Sequence, residues 1–332
     1  MKSEIFCALI LTLGYCATSG AQTRAFISAQ TKHPNVAIFV FPGVQVIDFA
    51  GPFEVFMQAR SRVYTVGEKP DPIKTAGGLT ITPEYTFENA PKPDVLVLPG
   101  GDSVFEQIKN PVALKWIAET AKTTQQTLTV CSGAFLAAKA GLLDRRSATT
   151  FYGLLDYLRE TSPATKVVWD KKYVDGGNVV TSAGLSSGIE GSLYVVSKVL
   201  GMGHAQSVAL NMEYNWNPDS TYARAMFPDM NIPDELPAGL PKGSDLLTSS
   251  GDRGHWTITV RVPGEKDAAG VLKNVNASLA KSGKWSEAAG RVGENSSKWN
   301  FTDRFGAKWQ SVVSVKPDDD SSLLFTLKMD RI

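Results

Sequence analysis

Thr127-Leu128-Thr129-Val130-Cys131-Ser132-Gly133-Ala134 decides how the chain reads. Residues suited to a buried strand run straight into a cysteine, a short turn and an apolar helical segment at 135–140. A nucleophile on a tight strand-to-helix turn is lifted above the sheet edge toward substrate. A helix N-terminus favours a thiolate, so Cys131 is expected to have a lowered pKa. The competing reading is a small buried hydrophobe, a common state of free cysteine.

Outward from this stretch the pattern repeats. Val36-Ala37-Ile38-Phe39-Val40-Phe41 is an apolar run closed by Pro42-Gly43, as a buried parallel strand would be. A helix is expected around 51–57, with Pro52 in its first turn, where a missing N–H has no partner to lose. Strands near 64–66, 94–98, 167–169 and 179–182 alternate with helices near 111–122 and 188–200. A hairpin crosses Gly176-Gly177-Asn178. Such alternation predicts an α/β domain with a parallel sheet and right-handed crossovers.

Strand ends in such a sheet gather at its carboxyl edge, where ligands bind. Gly100-Gly101 follows the strand 94–98, and its N–H groups, with that of Ser132, are candidates for an oxyanion hole. A glycine pair is equally a plain turn. Asp48 precedes the first helix. It reads either as an N-cap or as a carboxyl group leaning over Cys131, where partial desolvation raises its pKa and lets it pass protons. Glu54 falls one to two turns further along that helix.

The chain has 332 residues, which suggests about two domains. Its 43% hydrophobic and 20% charged residues exclude a disordered or collagen-like protein. The 34 Lys+Arg and 33 Asp+Glu give a net charge of +1, without the basic face of a nucleic-acid binder. Residues 216–250 are dense in Pro, Gly, Asn and Ser and read as a linker. Residues 251–332 read as a small α+β domain of βαβββ order. Its helix spans 267–282, and Trp285, Trp299 and Trp309 are expected in its core.

The N-terminus has a short charged start, an apolar run over 5–17 and small residues up to Ala21. This reads as a signal peptide, residues 1–21, with export to the periplasm or medium after cleavage near Ala21. A buried first helix is the alternative. Lipidation at Cys16 is disfavoured by the bulky Tyr15 before it. The apolar run is short of the roughly 20 residues a spanning helix needs. Cleavage removes Cys7 and Cys16 and leaves Cys131 as the sole thiol, with no internal disulfide.

The ordered set Phe41-Pro42-Gly43-Val44, Asp48-Phe49-Ala50-Gly51-Pro52-Phe53-Glu54, Leu98-Pro99-Gly100-Gly101, Val130-Cys131-Ser132-Gly133-Ala134-Phe135 and Thr181-Ser182-Ala183-Gly184 resembles the ThiJ/PfpI superfamily. The resemblance spans about 35–215. Within that family it is nearest the branch of isonitrile hydratases and the sensor domains of some AraC-type regulators. It implies a flavodoxin-like three-layer sandwich and a homodimer. By position, it implies that Cys131 is the nucleophile, Asp48 its acidic partner, Ser132 the residue after the nucleophile and Gly100-Gly101 the oxyanion pair. Thr150 and Glu54 are candidates to support them. Relatives often carry a His after Ala148-Thr149-Thr150, where this chain has Phe151. His33, His204 and His255 are its only histidines, and none falls at a family base position. A Cys–His peptidase mechanism is therefore disfavoured. A cysteine-dependent hydratase or hydrolase acting on a small molecule is expected. The alternative is a non-enzymatic ligand-binding or redox-sensing protein using the same pocket. No metal-ligand spacing, dinucleotide fingerprint or P-loop occurs, so no metal or cofactor is expected.

Overall fold

The computed structural model describes residues 33–332 except Thr221, Arg291 and Asp320. The expected signal peptide, with Cys7 and Cys16, lies outside the described residues. The chain divides into two compact units between Tyr222 and Ala223.

In the first unit, β1 (Asn35–Phe39) leads to α1 (Val46–Gln58) and β2 (Arg62–Gly67). Three short strands follow, β3 (Ile73–Lys74), β4 (Thr80–Ile81) and β5 (Tyr85–Thr86). Then come β6 (Val95–Leu98), α2 (Val104–Gln107), α3 (Pro111–Ala121), β7 (Gln126–Val130) and α4 (Gly133–Lys139). The unit continues with β8 (Ser147–Ala148), α5 (Leu155–Thr161), β9 (Lys166–Val167), β10 (Tyr173–Asp175), β11 (Val179–Ser182), α6 (Ser186–Leu200) and α7 (Met202–Asn211).

Seven strands form one sheet in the order β10-β11-β7-β6-β1-β2-β5, parallel except for the edge pair β10/β11. Its five central strands, read from β2 to β11, have the flavodoxin-like order 2-1-3-4-5. Helices α1, α6 and α7 pack together on one side, and α2, α3 and α4 associate separately. Strands β1, β6 and β7 are covered on both faces, which is why Val36–Val40, Val95–Leu98 and Leu128–Val130 are buried without alternation. The strand order reverses between β1 and β6, and a ligand crevice is expected at such a switch point.

Helix α1 begins at Val46, well before the expected start. Pro52 therefore lies in its interior, where the ring removes the bond to the carbonyl of Asp48. Asp48 sits in the first turn, while Gln45 occupies the cap position. The N-cap reading of Asp48 is thus replaced by one in which its carboxylate is free to serve elsewhere.

The second unit contains β12 (Asp245–Gly251), β13 (His255–Pro263), α8 (Ala268–Lys281), β14 (Trp285–Ala288), β15 (Ser296–Thr302), β16 (Lys308–Asp319) and β17 (Ser322–Arg331). They form an antiparallel sheet ordered β12-β13-β17-β16-β15-β14. Asp267 caps α8 by accepting from the Gly270 N–H at 2.9 Å. Trp285, Trp299 and Trp309 are all buried in its core, with the Trp285 and Trp309 rings stacked on either side of Phe301.

The order is therefore ββαββββ, not βαβββ, and 223–250 belongs to this unit rather than to a linker. Two features hid that. Phe227 and Leu236 are buried core residues inside a Pro/Gly-rich stretch, and every residue of β12 is exposed, so no apolar alternation marks it.

Candidate active site

Three carboxyl ends of neighbouring strands build the site. β7 delivers Cys131 at its end, with φ +57. That left-handed conformation costs a non-glycine residue on the order of 1–3 kcal/mol and is characteristic of strained functional turns. Several bonds hold it. The Cys131 N–H donates to the Ser182 carbonyl at 3.1 Å. The Thr150 hydroxyl donates to the Cys131 carbonyl at 2.7 Å. Gly184 closes over the cysteine, and a Cβ there would lie 2.5 Å from Cys131 Cβ and 2.9 Å from Sγ.

Asp48, fully buried, comes from α1. Its Oδ1 accepts from the Leu185 N–H at 3.0 Å and its Oδ2 from the Gly100 N–H at 3.2 Å. The Cys131 thiol completes its bonding. Burial raises the Asp48 pKa from 3.8 to about 6, and these hydrogen bonds only partly oppose the rise.

The lowered thiol pKa expected for Cys131 is not found. Burial, and next the Asp48 charge, push the thiol up to about 12, against weaker help from the Ser132 N–H and hydroxyl. The helix that follows the elbow has only seven residues, and its terminus does not outweigh desolvation beside a carboxylate. At neutral pH the resting pair is a thiol hydrogen-bonded to a carboxylate.

Ser132 is buried, and its Oγ accepts from the Gly101 N–H at 3.1 Å. The hydroxyl proton is thereby directed toward the Cys131 sulfur. The glycine pair is at the site, but not as an open oxyanion hole. The Gly100 N–H braces Asp48 and the Gly101 N–H braces Ser132. The packing is tight enough to require glycine, since a Cβ on Gly100 would meet Ser132 Oγ at 2.5 Å.

Cys131, Asp48, Ser132, Gly100, Gly101 and Thr150 thus converge. Glu54 does not. It is exposed on α1 and accepts from Gln58 Nε2 at 2.8 Å, one turn along. Phe151 follows Thr150 and packs against Tyr152, with ring centroids 4.3 Å apart. No histidine bonds to the pair. His204 lies on α7 and bonds to the backbone at Ala59, about 16 Å along the α1 axis from Asp48. Among the described residues no cluster of His, Cys, Asp and Glu could hold a metal ion. Sequence reasoning missed Leu185, whose N–H binds Asp48. Its one legible signal was its place between Gly184 and a helix start.

The DJ-1/PfpI family model matches residues 34–198. Isonitrile hydratase of Pseudomonas putida is 32% identical over 181 residues, covering 54% of this chain and 78% of that protein. The HTH-type transcriptional regulator CdhR of Pseudomonas aeruginosa is 24% identical over 170 residues, covering 49% of each. Among solved structures, a ThiJ/PfpI family protein from Pseudomonas syringae aligns with TM-score 0.52 and 28% identity, over 57% of this chain and 78% of its own. Drosophila melanogaster DJ-1beta has the same fold, with TM-score 0.51 and 21% identity, over 56% of this chain and all of its own. The first unit carries this likeness, and the chain belongs to the DJ-1/PfpI family.

Proposed function

We propose that the protein is a cysteine-dependent hydratase that converts isonitriles to N-substituted formamides. The observation that carries this is the half-buried Cys131 thiol hydrogen-bonded to the fully buried Asp48 carboxylate.

Such a pair suits addition of S–H across a terminal carbon. Asp48 takes the thiol proton as sulfur bonds to the isonitrile carbon, and returns it to that carbon, giving a thioimidate on Cys131. Asp48 then takes a proton from water as the water oxygen adds to the same carbon, and passes that proton to the nitrogen. Collapse breaks the C–S bond, sends the remaining hydroxyl proton through Asp48 to the departing sulfur and releases the formamide. Ser132 donates its N–H and hydroxyl to the sulfur as charge develops there.

The energies are compatible. Moving the proton to Asp48 ahead of attack spans about six pK units, on the order of 8 kcal/mol. This is an upper bound, because protonating Asp48 removes its repulsion of the thiolate. A turnover near 10 s⁻¹ corresponds to a barrier of about 16 kcal/mol, so transfer concerted with attack fits within it. Acyl transfer is less well served, since it needs free N–H donors and a base, and both glycine N–H groups are already bonded.

The likeness to CdhR supports a second reading, a small-molecule-binding domain without catalysis. The high thiol pKa disfavours the redox-sensing version, because the thiolate is the species that oxidises. Export of the mature chain and a homodimer are part of the proposal.

The test is formamide production from cyclohexyl isocyanide, followed by gas chromatography. Wild type produces it and Cys131→Ala does not. Formation at the wild-type rate by Cys131→Ala would sink the proposal.

A further inference from the structure

Leu185 has a backbone that does not suit its residue type. Its φ is +51 and its ψ −125, a combination that glycine adopts freely and other residues resist. Burial does not explain the leucine, because the residue is 43% exposed. The backbone around it is nonetheless well used. Its N–H holds Asp48 Oδ1 at 3.0 Å, and the preceding Gly184 lies against the Cys131 sulfur. Covalent geometry then puts the Leu185 Cβ within about 5.5 Å of the Asp48 oxygen. A glycine would serve the Asp48 bond with less strain. What leucine adds is an exposed isobutyl group one residue from the nucleophile's cover.

Cys131 packs against the apolar core of the unit, while glycines and polar groups bond to it or close over it. Gly100 and Gly184 have no side chain, and Ser132 and Asp48 present polar atoms.

We infer that Leu185 is a specificity-determining residue, whose side chain packs against an apolar N-substituent of the substrate while its N–H fixes the acid. This rests on the isonitrile reading for the reaction, but the wall itself does not depend on it. The substrate class is accordingly an isonitrile with a branched or cyclic hydrocarbon substituent rather than a small or charged one.

The experiment compares wild type, Leu185→Ala and Leu185→Gly with two probe pairs. Leu185→Gly suits the observed backbone, and Leu185→Ala provides a second truncation should extra flexibility matter. The first pair is cyclohexyl and methyl isocyanide, read as the ratio of kcat/KM. The second is N-cyclohexyl iodoacetamide and iodoacetamide, read as the ratio of Cys131 alkylation rates. Loss of three side-chain carbons in Leu185→Ala, or four in Leu185→Gly, lowers each ratio roughly tenfold.

Unchanged ratios in both pairs, with formamide still formed, overturn the inference and leave the reaction standing. If no protein forms formamide but the alkylation ratio falls, the wall stands and the isonitrile reading fails. A rise in either ratio on truncation also overturns the inference.

Discussion

Neutralising Asp48 makes Cys131 more reactive as a thiol while making the protein worse as a catalyst. In Asp48→Asn the carboxylate charge beside the sulfur is gone. Two unit charges about 4 Å apart repel by about 4 kcal/mol at an effective dielectric of 20, or about three pK units. The whole rise of the thiol is from 9.0 to about 12, and burial is its larger cause. The share recovered is therefore about one to two units. At a fixed pH below the thiol pKa, that makes alkylation of Cys131 ten- to a hundredfold faster. The assay is the second-order rate with iodoacetamide from pH 6 to 10, read as modified peptide by mass spectrometry. Wild-type rates climb tenfold per pH unit without levelling. Thermal unfolding of the variant runs in parallel, since one of the Gly100 and Leu185 N–H groups then faces the amide NH2 and loses its acceptor. A wild-type plateau below pH 8, or slower alkylation in Asp48→Asn, would refute the reasoning.

The same pair sets the pH response of turnover. Asp48 must be ionised to receive the thiol proton, so kcat/KM falls tenfold per unit below about pH 6, and Asp48→Asn loses about 10²–10⁴-fold. Stability moves the opposite way. The folded protein keeps the Asp48 proton up to about pH 6, while the unfolded chain releases it at 3.8. That contribution is fully present below pH 3.8 and is lost as pH rises through 6. It amounts to at most about 3 kcal/mol, and denaturant titrations across the window show it in wild type but not in Asp48→Asn. Gly184→Ala places a Cβ 2.8 Å from Cys131 Cα at φ +101, so it costs about 2–4 kcal/mol of stability, read by denaturant titration, and suppresses turnover by displacing the elbow.

Much of this was legible because the residues concerned obey strong local rules. The apolar runs at 36–41 and 95–98 mark central strands covered on both faces, and the Thr-Leu-Thr-Val stretch at 127–130 is buried in the same way. The strand–cysteine–helix order placed Cys131, and the glycines near it reflect backbone approaches that no side chain fits. Other features depend on tertiary context. The pKa of Cys131 depends on how deeply Asp48 and its neighbours bury it, which composition does not encode. The role of Gly100 and Gly101 turned on which acceptor lay nearest each N–H. Glu54, six residues or about one and two-thirds turns from Asp48, faces solvent on the same helix. β12 left no trace in the hydrophobic pattern because all seven of its residues are exposed.

The central claim is that Cys131 bonds covalently to the isonitrile carbon during turnover. Rapid acid quench of wild-type protein turning over cyclohexyl isocyanide, followed by peptide mass spectrometry, tests it directly. The account predicts a mass gain equal to one whole isonitrile on the peptide bearing Cys131, appearing before formamide and absent from Cys131→Ala. Formamide formed with no such adduct, and undiminished in Cys131→Ala, would contradict it.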